Sequence, residues 1–499
     1  MRPLRPYQHT TINETRQAWR EGHKNVIIES PTGSGKTVLS TNIFMALRER
    51  NRPSWFGVHR AELVDGTANT FRDEGLPFGI IAAGKHCNPD ELIQIVSIPT
   101  AVNMLEELPK PYLIALDEGQ HTGAASWQKV YNHAEWHLGL SGTPIMPGGK
   151  SLGAYYTKMI HGPTVPWLID NEYLSRFEYY GPDVPDLSTV RSVGGEYSAD
   201  QTEKIMLGKA LVGNVVGHWF KHAGGKLTVG FAPTVKASKA YAQAFTDAGV
   251  PAAHIDGTTD PDVRRAIVQA FARREILVLF NVDLFGEGFD LSAIAGFDVT
   301  IEAMIMARPT KSLILCKQQW GRVLRWAAGK IAIILDHCGN WTRHGFPDDV
   351  IVWSLEAPPK RIIESGTTVA ITQCPGCFAV FRPSAACPNC QLVREVKDRP
   401  MFFMEGELKR IAKEAAAAAK AEKSAARTER KAEIEKEKAA EAAYKAGPCG
   451  KKNRYTNWQS AVKSAVVAKK RNRFIDLEPY KCNCGNIHLQ QKRREEALL

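Results

Sequence analysis

A glycine-rich stretch near the start of the chain has the residue types of a phosphate-binding loop. Residues 29–37 read Glu-Ser-Pro-Thr-Gly-Ser-Gly-Lys-Thr, follow an apolar run and precede a helical pattern. In such a loop, backbone N–H groups and the positive end of the next helix hold phosphates, a lysine reaches the terminal phosphates and a hydroxyl binds Mg²⁺. Ser30 stands where a glycine is usual. The residues predicted to contact a nucleoside triphosphate are Pro31, Thr32, Gly33, Ser34, Gly35, Lys36 and Thr37, the last also as a Mg²⁺ ligand.

An acidic pair follows a second apolar segment. Residues 112–116 predict a buried parallel strand, and Asp117 and Glu118 come directly after it. Asp117 would hold Mg²⁺ directly or through water, while Glu118 would orient and deprotonate the water that attacks the γ-phosphate. Alone, the pair could be an exposed turn. Downstream of Lys36 and Thr37, it predicts hydrolysis of the triphosphate.

Further blocks occur in the order typical of superfamily-two DEAD/DEAH-type helicases, and the chain resembles that family across residues 5–326. Residues 4–8 resemble the family's adenine-recognition segment. Within them, Gln8 can offer adenine both a donor and an acceptor. The resemblance implies ATP as the nucleotide, Mg²⁺ as its metal and a nucleic acid as the partner.

This resemblance implies roles for several single residues. Segments around Arg60 and Thr100 resemble the strand-tracking elements of the first lobe, which implies that both residues contact nucleic acid. Ser141 and Thr143 lie in a segment that resembles the one coupling hydrolysis to motion. In the second half, a turn would offer Thr258 to a backbone phosphate. Ordinary strand-to-helix turns are the alternative for each segment taken singly.

Residues 318–325 resemble the arginine-finger helix of the family and contain Gln318, Arg322 and Arg325. The two arginines are three residues apart, so they are predicted to share one helical face. A guanidinium from a second lobe would neutralise charge on the transferring phosphoryl group. The alternative is a solvated basic helix. The resemblance therefore implies that hydrolysis needs both lobes to be closed.

The switch segment of the family corresponds to residues 281–290, which implies that Gly288 and Asp290 contact ATP. Two departures from the family pattern stand out. Gln120 occupies a position where many relatives have histidine, and Leu324 one where many have glycine. They bear on the subfamily and leave the predicted reaction unchanged.

Cysteine spacing predicts a metal site after the motor segments. Of the ten cysteines, seven lie beyond residue 370, and four of these form two Cys-x-x-Cys pairs separated by nine residues. Two such pairs close a four-sulfur shell around a tetrahedral Zn²⁺ without an open position. The alternative is a disulfide or free thiols. The predicted zinc ligands are Cys374, Cys377, Cys387 and Cys390, while Cys87, Cys316 and Cys338 are predicted to be buried thiols.

A second zinc site is predicted from three sulfurs and one imidazole, namely Cys449, Cys482, Cys484 and His488. The alternative leaves these cysteines free and the histidine solvated. Residues 404–445 are rich in Ala, Lys and Glu and contain no proline, which predicts a long exposed helix that acts as a spacer. A loosely paired coiled coil is the alternative for this helix.

Positive charge is concentrated at the end of the chain. Residues 448–499 hold twelve Lys and Arg against four Asp and Glu, which gives +8 of the formal net charge of +11. Basic residues interleaved with aromatic ones suit phosphates and stacked bases. A soluble basic tail or a protein-docking patch is the alternative. The predicted nucleic-acid contacts are Lys451, Lys452, Arg454, Trp458, Lys469, Lys470, Arg471 and Arg473.

The 499 residues, 44% of them apolar, can form two cores and further modules. We expect an α/β fold with two tandem RecA-like doubly wound parallel-sheet lobes, followed by small zinc-binding modules and a long helix. No signal peptide or membrane-spanning apolar stretch is recognisable, so a cytoplasmic protein is expected in a bacterial or phage-infected cell. The predicted domains are 1–162 (first lobe, ATP-binding), 163–358 (second lobe), 370–394 (zinc ribbon), 400–446 (helical spacer) and 447–499 (basic module).

Within the superfamily, residues 4–355 resemble RadD-like and prophage-type DNA helicases with C-terminal zinc modules. That likeness implies an ATP-dependent helicase or translocase that acts on DNA in repair, recombination or phage replication. The alternatives are a double-stranded DNA translocase that does not separate strands, an RNA helicase, and an adaptor without ATPase activity that binds nucleic acid through zinc modules. A replication or repair protein is a further predicted partner.

Overall fold

The computed structural model describes residues 3–85, 87–182, 185–284, 291–356, 360–361, 371–393, 459, 461–465, 477–481 and 487–491. By its contacts the chain divides into two compact units, Met1–Glu395 and Val396–Leu499. None of the helices described combines the length and apolar character that a membrane crossing requires.

The first lobe is built on a sheet of seven parallel strands. Neighbouring residues of the strand that leads into the phosphate loop point to opposite faces, so Ile27 packs in one apolar cluster and Val26 and Ile28 in another. Both faces are therefore buried, as parallel sheets require. The strands are β1 Asn25–Glu29, β2 Ser54–Val58, β3 Gly79–Ile81, β4 Ile93–Ser97, β5 Leu113–Asp117, β6 Trp136–Ser141 and β7 Lys158–His161, in the order β3-β4-β2-β5-β6-β1-β7. The helices are α1 Pro6–Arg20, α2 Lys36–Glu49, α3 Ala61–Asp73, α4 Ile98–Val102 and α5 Ala125–Tyr131, with 3₁₀ turns at Gly119–Gly123 and Pro147–Gly149.

The second lobe has a six-stranded parallel sheet and a hairpin that precedes most of it in sequence. Its helices are α6 Val165–Asp170, α7 Ala199–Met206, α8 Lys209–Ala223, α9 Val235–Asp247, α10 Pro261–Ala272, α11 Leu291–Ala295, α12 Leu313–Val323 and α13 Asn340–His344. The strands are β8 Arg176–Tyr180, the hairpin β9 Ser192–Val193 and β10 Glu196–Tyr197, then β11 Thr228–Phe231, β12 Ala252–Ile255, β13 Val278–Asn281, β14 Ala303–Met306 and β15 Ile331–Asp336. The sheet order is β12-β13-β11-β14-β15-β8.

Three more antiparallel pairs follow the second sheet. They are β16 Ile351–Val352 with β17 Lys360–Arg361, β18 Thr372–Gln373 with β19 Val380–Phe381, and β20 Leu477–Lys481 with β21 Ile487–Gln491. The first two pairs belong to the unit Met1–Glu395, and the third belongs to the unit Val396–Leu499.

The prediction of two parallel-sheet lobes is confirmed. Cys316 and Cys338 are buried as expected, but the prediction for Cys87 is wrong, because that residue is exposed. Its backbone pairs with Ile80 on the outer side of the edge strand β3, where the sheet ends. The predicted helical spacer, residues 404–445, lies outside the described residues.

Candidate functional site

The glycine-rich loop joins β1 to α2 at the carboxyl edge of the first sheet. Gly33 and Gly35 have φ values of +88° and +81°, which side chains rarely adopt and which turn the loop back on itself. The first helical residue of α2 is Lys36, whose Nζ donates to the carbonyl oxygens of Ser30 at 3.1 Å and Pro31 at 3.4 Å. The lysine amine thus lies across the loop, next to the N-terminus of the helix.

The unusual Ser30 is buried and has a structural role. Its Oγ donates to Ser34 Oγ at 2.7 Å, and its backbone N–H donates to the carbonyl of Ser141 at 2.8 Å. A hydroxyl therefore cross-links the loop where the general phosphate-loop pattern has glycine. The backbone bond also joins the loop to the end of β6.

The N-terminal helix holds the same loop from the other side. The Tyr7 hydroxyl donates to the carbonyl of Ser34 at 2.5 Å, and Gln8 Nε2 donates to the carbonyl of Gly35 at 3.2 Å. The Arg5 backbone N–H donates to Gln8 Oε1 at 2.9 Å. Both ends of the Gln8 amide thus have protein partners, and the predicted contact with adenine stays a prediction.

A chain of hydrogen bonds links the acidic pair to the segment predicted to couple hydrolysis to motion. Glu118 adopts a left-handed conformation with φ +57° after β5. Gln120 Nε2 donates to Glu118 Oε2 at 2.7 Å, and the Ser141 hydroxyl donates to Gln120 Oε1 at 2.5 Å. The Thr143 N–H then donates to Ser141 Oγ at 3.0 Å. Asp117 precedes this chain at the end of β5.

The identity of Gln120 explains how these parts remain connected. Its side chain is fully buried and uses both a donor and an acceptor. An amide does not titrate, whereas a histidine at this position would change charge near neutral pH. The connection from Glu118 to Ser141 therefore keeps the same polarity across that range.

The second lobe meets the phosphate loop through α12. A Cβ added at Gly321 would lie 2.5 Å from the Thr32 Cβ, so the helix backbone approaches the loop closely. A cleft between the lobes is lined from the first lobe by Glu118 and Thr143 and from the second by Gln318. The fold thus brings Pro31, Thr32, Glu118, Thr143, Gln318 and Gly321 to one place.

The two predicted arginine fingers differ in position. Arg322 is within α12, but that helix ends at Val323 and Leu324 is its cap, so Arg325 does not continue the helical face. Arg325 instead forms a β-bridge with Leu174, and its Cγ lies 3.9 Å from where a Cβ of Gly33 would be. The expectation of a shared helical face is therefore wrong, because the chain turns into a bridge after the cap. Both side chains are half-buried.

The segment after α13 also reaches the cleft. Pro347 and Asp349 line it, and their carbonyl oxygens accept from Lys317 Nζ of α12, both at 3.4 Å. Farther along, the Leu355 carbonyl accepts from the Gly153 N–H of the first lobe at 3.0 Å. We call residues 346–355 the strap, because they touch both lobes beside the cleft.

A second cleft between the lobes contains predicted nucleic-acid contacts. Arg60 is the residue among its lining that was predicted to contact nucleic acid, and Gln318, Lys311 and the glycines of the β9–β10 turn line the same cleft. Thr100 lies elsewhere and accepts from the Ala83 N–H at 3.1 Å.

Thr258 is held by its own turn. Its hydroxyl and N–H donate to Asp256 Oδ1 at 2.7 and 2.8 Å. These bonds, together with one from His254, keep the pKa of the Asp256 carboxyl well below its usual range. The predicted phosphate contact of Thr258 stays a prediction.

The four cysteines predicted to form a zinc ribbon lie together. The Sγ atoms of Cys374 and Cys390 are 3.5 Å apart, those of Cys377 and Cys387 are 3.7 Å apart, and all four ligand atoms lie within 4.8 Å of one another. A tetrahedral Zn²⁺ with Zn–S bonds of about 2.3 Å would space its sulfurs about 3.8 Å apart. The cluster is therefore compatible with zinc.

The two cysteine pairs have matching backbone geometry. The Cys374 N–H donates to the Ala379 carbonyl at 2.8 Å, and the Cys387 N–H donates to the Leu392 carbonyl at 2.9 Å, five residues on in each case. Three of these cysteines are buried. The same turn is thus used twice to face one centre, as expected of a four-sulfur metal shell.

This ribbon is attached to the second lobe and to the strap. The Gly181 N–H donates to the Phe378 carbonyl at 3.0 Å, directly after β8. Arg382 pairs with Asp348 at 3.1 Å and with Asp349 at 3.0 Å. The ribbon therefore holds the strap from outside the cleft.

Part of the predicted site falls outside the described residues. Strand β21 includes the backbone of His488, whose side chain is not described. The predicted site residues outside the described part are Gly288, Asp290, Cys449, Cys482, Cys484, Lys451, Lys452, Arg454, Trp458, Lys469, Lys470, Arg471 and Arg473.

Sequence reasoning missed two residues that hold the site. Tyr7 directly precedes Gln8, so a search for donors next to the predicted adenine segment could have found it. Glu196 follows two glycines in a segment with no motif, and its carboxylate accepts from the N-terminus of α12. No local signal identifies Glu196.

Comparisons with known proteins agree with this geometry. A family model described as "Type III restriction enzyme, res subunit" matches residues 2–146, and one described as "Helicase conserved C-terminal domain" matches residues 209–327. Together they span more than half of the chain. A solved fragment described as an HsdR subunit of a type I restriction enzyme from Vibrio vulnificus has a TM-score of 0.54 at 16% identity, covering 70% of this chain and 68% of that one. At this identity, the likeness concerns the fold alone.

Two curated relatives extend over most of the chain. A 51.5 kDa protein of a Lactococcus phage is 36% identical over 399 residues, which cover 78% of this chain and 82% of that protein. The Saccharomyces cerevisiae protein IRC3, whose name describes an ATP-dependent helicase, is 26% identical over 360 residues, which cover 67% of this chain but 50% of IRC3. The phosphate loop, the acidic pair and the helix of the second lobe thus occur in a chain with helicase relatives. This chain belongs to the superfamily-two helicases of the DEAD/DEAH type and is an ATP-hydrolysing enzyme of that family.

Proposed function

We propose that this helicase is a motor that moves along DNA, with ATP hydrolysed between the two lobes. The observation that carries the proposal is the contact between Thr32 of the phosphate loop and Gly321 of α12. A helix of the second lobe reaches the loop only when the lobes are together. Hydrolysis that depends on this contact ties each turnover to one closing and one opening of the cleft.

Within the cleft, each residue has a proposed role. Lys36 binds the terminal phosphates, while Thr37 and Asp117 hold the Mg²⁺ that neutralises their charge. Glu118 accepts a proton from the attacking water. Arg322 stabilises the charge that develops on the transferring phosphoryl group.

Three further residues support these groups. Gln8 holds the phosphate loop and the adenine, and Gln318 faces the cleft from α12. Arg325, beside Gly33, is the second candidate for an arginine finger.

Coupling follows the hydrogen-bond chain from Glu118 through Gln120 to Ser141 and Thr143. A change in the position of Glu118 during hydrolysis alters the chain that ends next to the cleft wall. Because every member is a donor or an acceptor of another, the group moves as one. We propose that this chain passes the state of the nucleotide to the strand-binding surface.

DNA is the proposed track, in repair, recombination or phage replication. Support comes from the phage relative and from the family model named for a restriction enzyme subunit. The charge of +8 in residues 448–499 suits a polyanion. The phage relative also supports action inside a bacterial or phage-infected cell. RNA tracking, and DNA translocation without strand separation, are the alternatives.

The four-cysteine ribbon is proposed to hold one structural Zn²⁺. Its spacing leaves no open coordination position, so the ion would fix the ribbon and take no part in hydrolysis. A second zinc at Cys449, Cys482, Cys484 and His488 remains a prediction. Metal analysis of the purified protein distinguishes one zinc per chain from two.

Turnover measurements test the proposal. ATPase activity should rise when single-stranded DNA is added, and Lys36→Ala should abolish both the basal and the stimulated rates. Matched RNA strands identify the preferred track. Forked, tailed and blunt duplexes report strand separation. An ATPase rate that no polynucleotide changes would contradict the motor.

A further inference from the structure

The β9–β10 hairpin lies between β8 and β11 of the second sheet in sequence and beside the second cleft in space. Gly194 and Gly195 form its turn, with φ values of +58° and +88°, as a tight hairpin turn requires. Both glycines line the second cleft opposite Arg60 of the first lobe. Val193, at the tip, is 63% exposed. The tip is thus accessible to a strand that enters this cleft.

One carboxylate fixes the hairpin to the start of α12. Glu196 accepts from the Thr310 hydroxyl at 2.8 Å, from the Lys311 N–H at 3.0 Å and from the Ser312 N–H at 2.8 Å. Hydrogen bonds to a charged acceptor are roughly twice as strong as neutral ones, and a negative charge is favourable at a helix N-terminus. Glu196 is therefore a strong and directional link.

The neighbouring aromatic residue reinforces the same link. The Tyr197 ring has Lys311 Nζ 4.6 Å from its centroid and the Arg343 guanidinium carbon 5.5 Å from it. Cations at these distances are attracted to the face of the ring. The base of the hairpin therefore moves together with the segment that starts α12.

Helix α12 forms a wall of both clefts. Its first turn, from Leu313 to Leu315, lines the second cleft together with the hairpin, and Gly321 near its other end faces Thr32 of the phosphate loop. Gln318 lines both clefts. Because an α-helix of 11 residues is a stiff element, a shift at its start changes the position of Arg322.

We infer that Glu196 is a positioning residue that couples occupancy of the second cleft by a polynucleotide strand to the placement of Arg322 in the ATP cleft. A strand between Arg60 and Lys311 presses on the hairpin tip. Glu196 passes that displacement to α12 through its three hydrogen bonds. This inference rests on the proposed function in two respects, namely that a nucleic-acid strand is the track and that Arg322 stabilises the transferring phosphoryl group.

The test compares Glu196→Ala with Glu196→Gln in the full-length protein. ATPase turnover is measured without DNA and with saturating single-stranded DNA, and the affinity for that DNA is measured by fluorescence anisotropy. In Glu196→Ala the stimulated turnover should fall about tenfold, whereas the DNA dissociation constant should stay within about twofold of wild type. Glu196→Gln keeps an acceptor oxygen and should recover part of the stimulation.

Asp200→Ala is the matched control, because it removes an exposed acid four residues farther on. It should behave as wild type. Equal stimulation in wild type and Glu196→Ala would overturn the inference, as would a loss of DNA affinity that accounts for the whole effect. If the wild type itself shows no stimulation by DNA, the proposed function fails instead. Thermal unfolding of both Glu196 variants shows whether they are folded. If Glu196→Ala is unfolded, the DNA-stimulated turnover of Glu196→Gln alone decides the inference.

Discussion

The two lobes hold their halves of the ATP site by different means. In the first lobe, the phosphate loop and the acidic pair each follow directly from a buried strand, and their supporting contacts come from the same lobe. In the second lobe, the position of α12 depends on partners that are distant in sequence. Glu196 holds its start, and the strap contacts Lys317 farther along. The groups proposed to bind and hydrolyse ATP are thus held by contacts within the first lobe, whereas the proposed arginine finger lies on a helix held by contacts from distant parts of the sequence.

This difference is a physical basis for control. A helix held at several points by hydrogen bonds and ion pairs can change position when any one of the residues that contact it moves. A loop fixed between a buried strand and a helix cannot shift without disrupting the core. We therefore expect nucleic acid and the ribbon to act through the second lobe.

The largest expected effect tests the second lobe. Arg322→Ala should lower stimulated ATP turnover by about a thousandfold, because the developing phosphoryl charge loses its neutralising guanidinium. ATP affinity should change little, since the phosphate loop belongs to the first lobe. Phosphate release and nucleotide-binding assays measure the two quantities. Arg265→Ala, an exposed arginine on α10, is the control. Normal turnover in Arg322→Ala would show that Arg322 is not the arginine finger. Arg325 would then be the candidate, and Arg325→Ala tests it.

A slightly smaller effect is expected in the first lobe. Glu118→Gln should lower turnover about a hundredfold or more, because an amide cannot accept the proton of the attacking water. ATP binding should persist, so the variant should accumulate bound ATP. Glu135→Gln, an exposed glutamate of the same lobe, is the control. Retained hydrolysis in Glu118→Gln would mean that another group is the base.

The hydrogen-bond chain of the first lobe should show non-additive effects. Gln120→Ala leaves the buried Ser141 hydroxyl and one Glu118 oxygen without their partner, which should cost about 1–3 kcal/mol of stability. Stimulated turnover should fall about tenfold. Adding Ser141→Ala should cost little more, because both changes break the same chain. A double-mutant cycle on unfolding and turnover measures this, and strictly additive losses would show that the chain does not act as a unit.

The ribbon should have a modest influence on the ATP cleft. Arg382→Ala removes the ion pairs with Asp348 and Asp349 on the strap, but the arginine side chain is 51% exposed. A pair this exposed is worth about 1 kcal/mol at most, so the Michaelis constant for ATP should rise by no more than about fivefold. Steady-state kinetics measure it, with Arg273→Ala as the control for an exposed pair elsewhere. An unchanged Michaelis constant for ATP in Arg382→Ala would show that the ribbon does not influence the ATP cleft.

The last prediction concerns the free energy of unfolding in acid, and its effect at neutral pH is the smallest of the set. Burial lowers the pKa of His337 to about 3, and neither ring nitrogen has a hydrogen-bond partner in the described part of the chain. The unfolded chain takes up this proton near its ordinary pKa of about 6.5, before the folded state does. The free energy of unfolding should therefore fall as pH drops from about 6.5 towards 3, by about 2 kcal/mol at pH 5 for this group.

His337→Phe should remove that part of the pH dependence while leaving stability at pH 7.5 similar. Denaturant unfolding at the two pH values measures the difference. His9→Gln, at an exposed position, is the control. An identical pH dependence in wild type and His337→Phe would show that His337 does not contribute.

The sequence predicted the parts of the site whose chemistry is local. The phosphate loop, the acidic pair and the two Cys-x-x-Cys pairs are each short, and each adopts its geometry from a strand end or a tight turn. The sequence did not predict that Cys87 is exposed, because its exposure depends on which strand lies at the sheet edge. The prediction that Arg322 and Arg325 share one helical face was also wrong, because the helix ends before Arg325, which forms a β-bridge with Leu174.

By itself, the sequence determined that two parallel-sheet lobes form and which residues could bind phosphate or, as a cluster, a metal, since strand patterns and motif spacing act over a few residues. Tertiary structure alone decided that Gly321 meets Thr32, that Gln120 links Glu118 to Ser141, and that the ribbon holds the strap. It also placed Glu196 at the start of α12, more than a hundred residues away in sequence. Such contacts leave no local pattern, because their geometry exists only after both lobes have folded and packed.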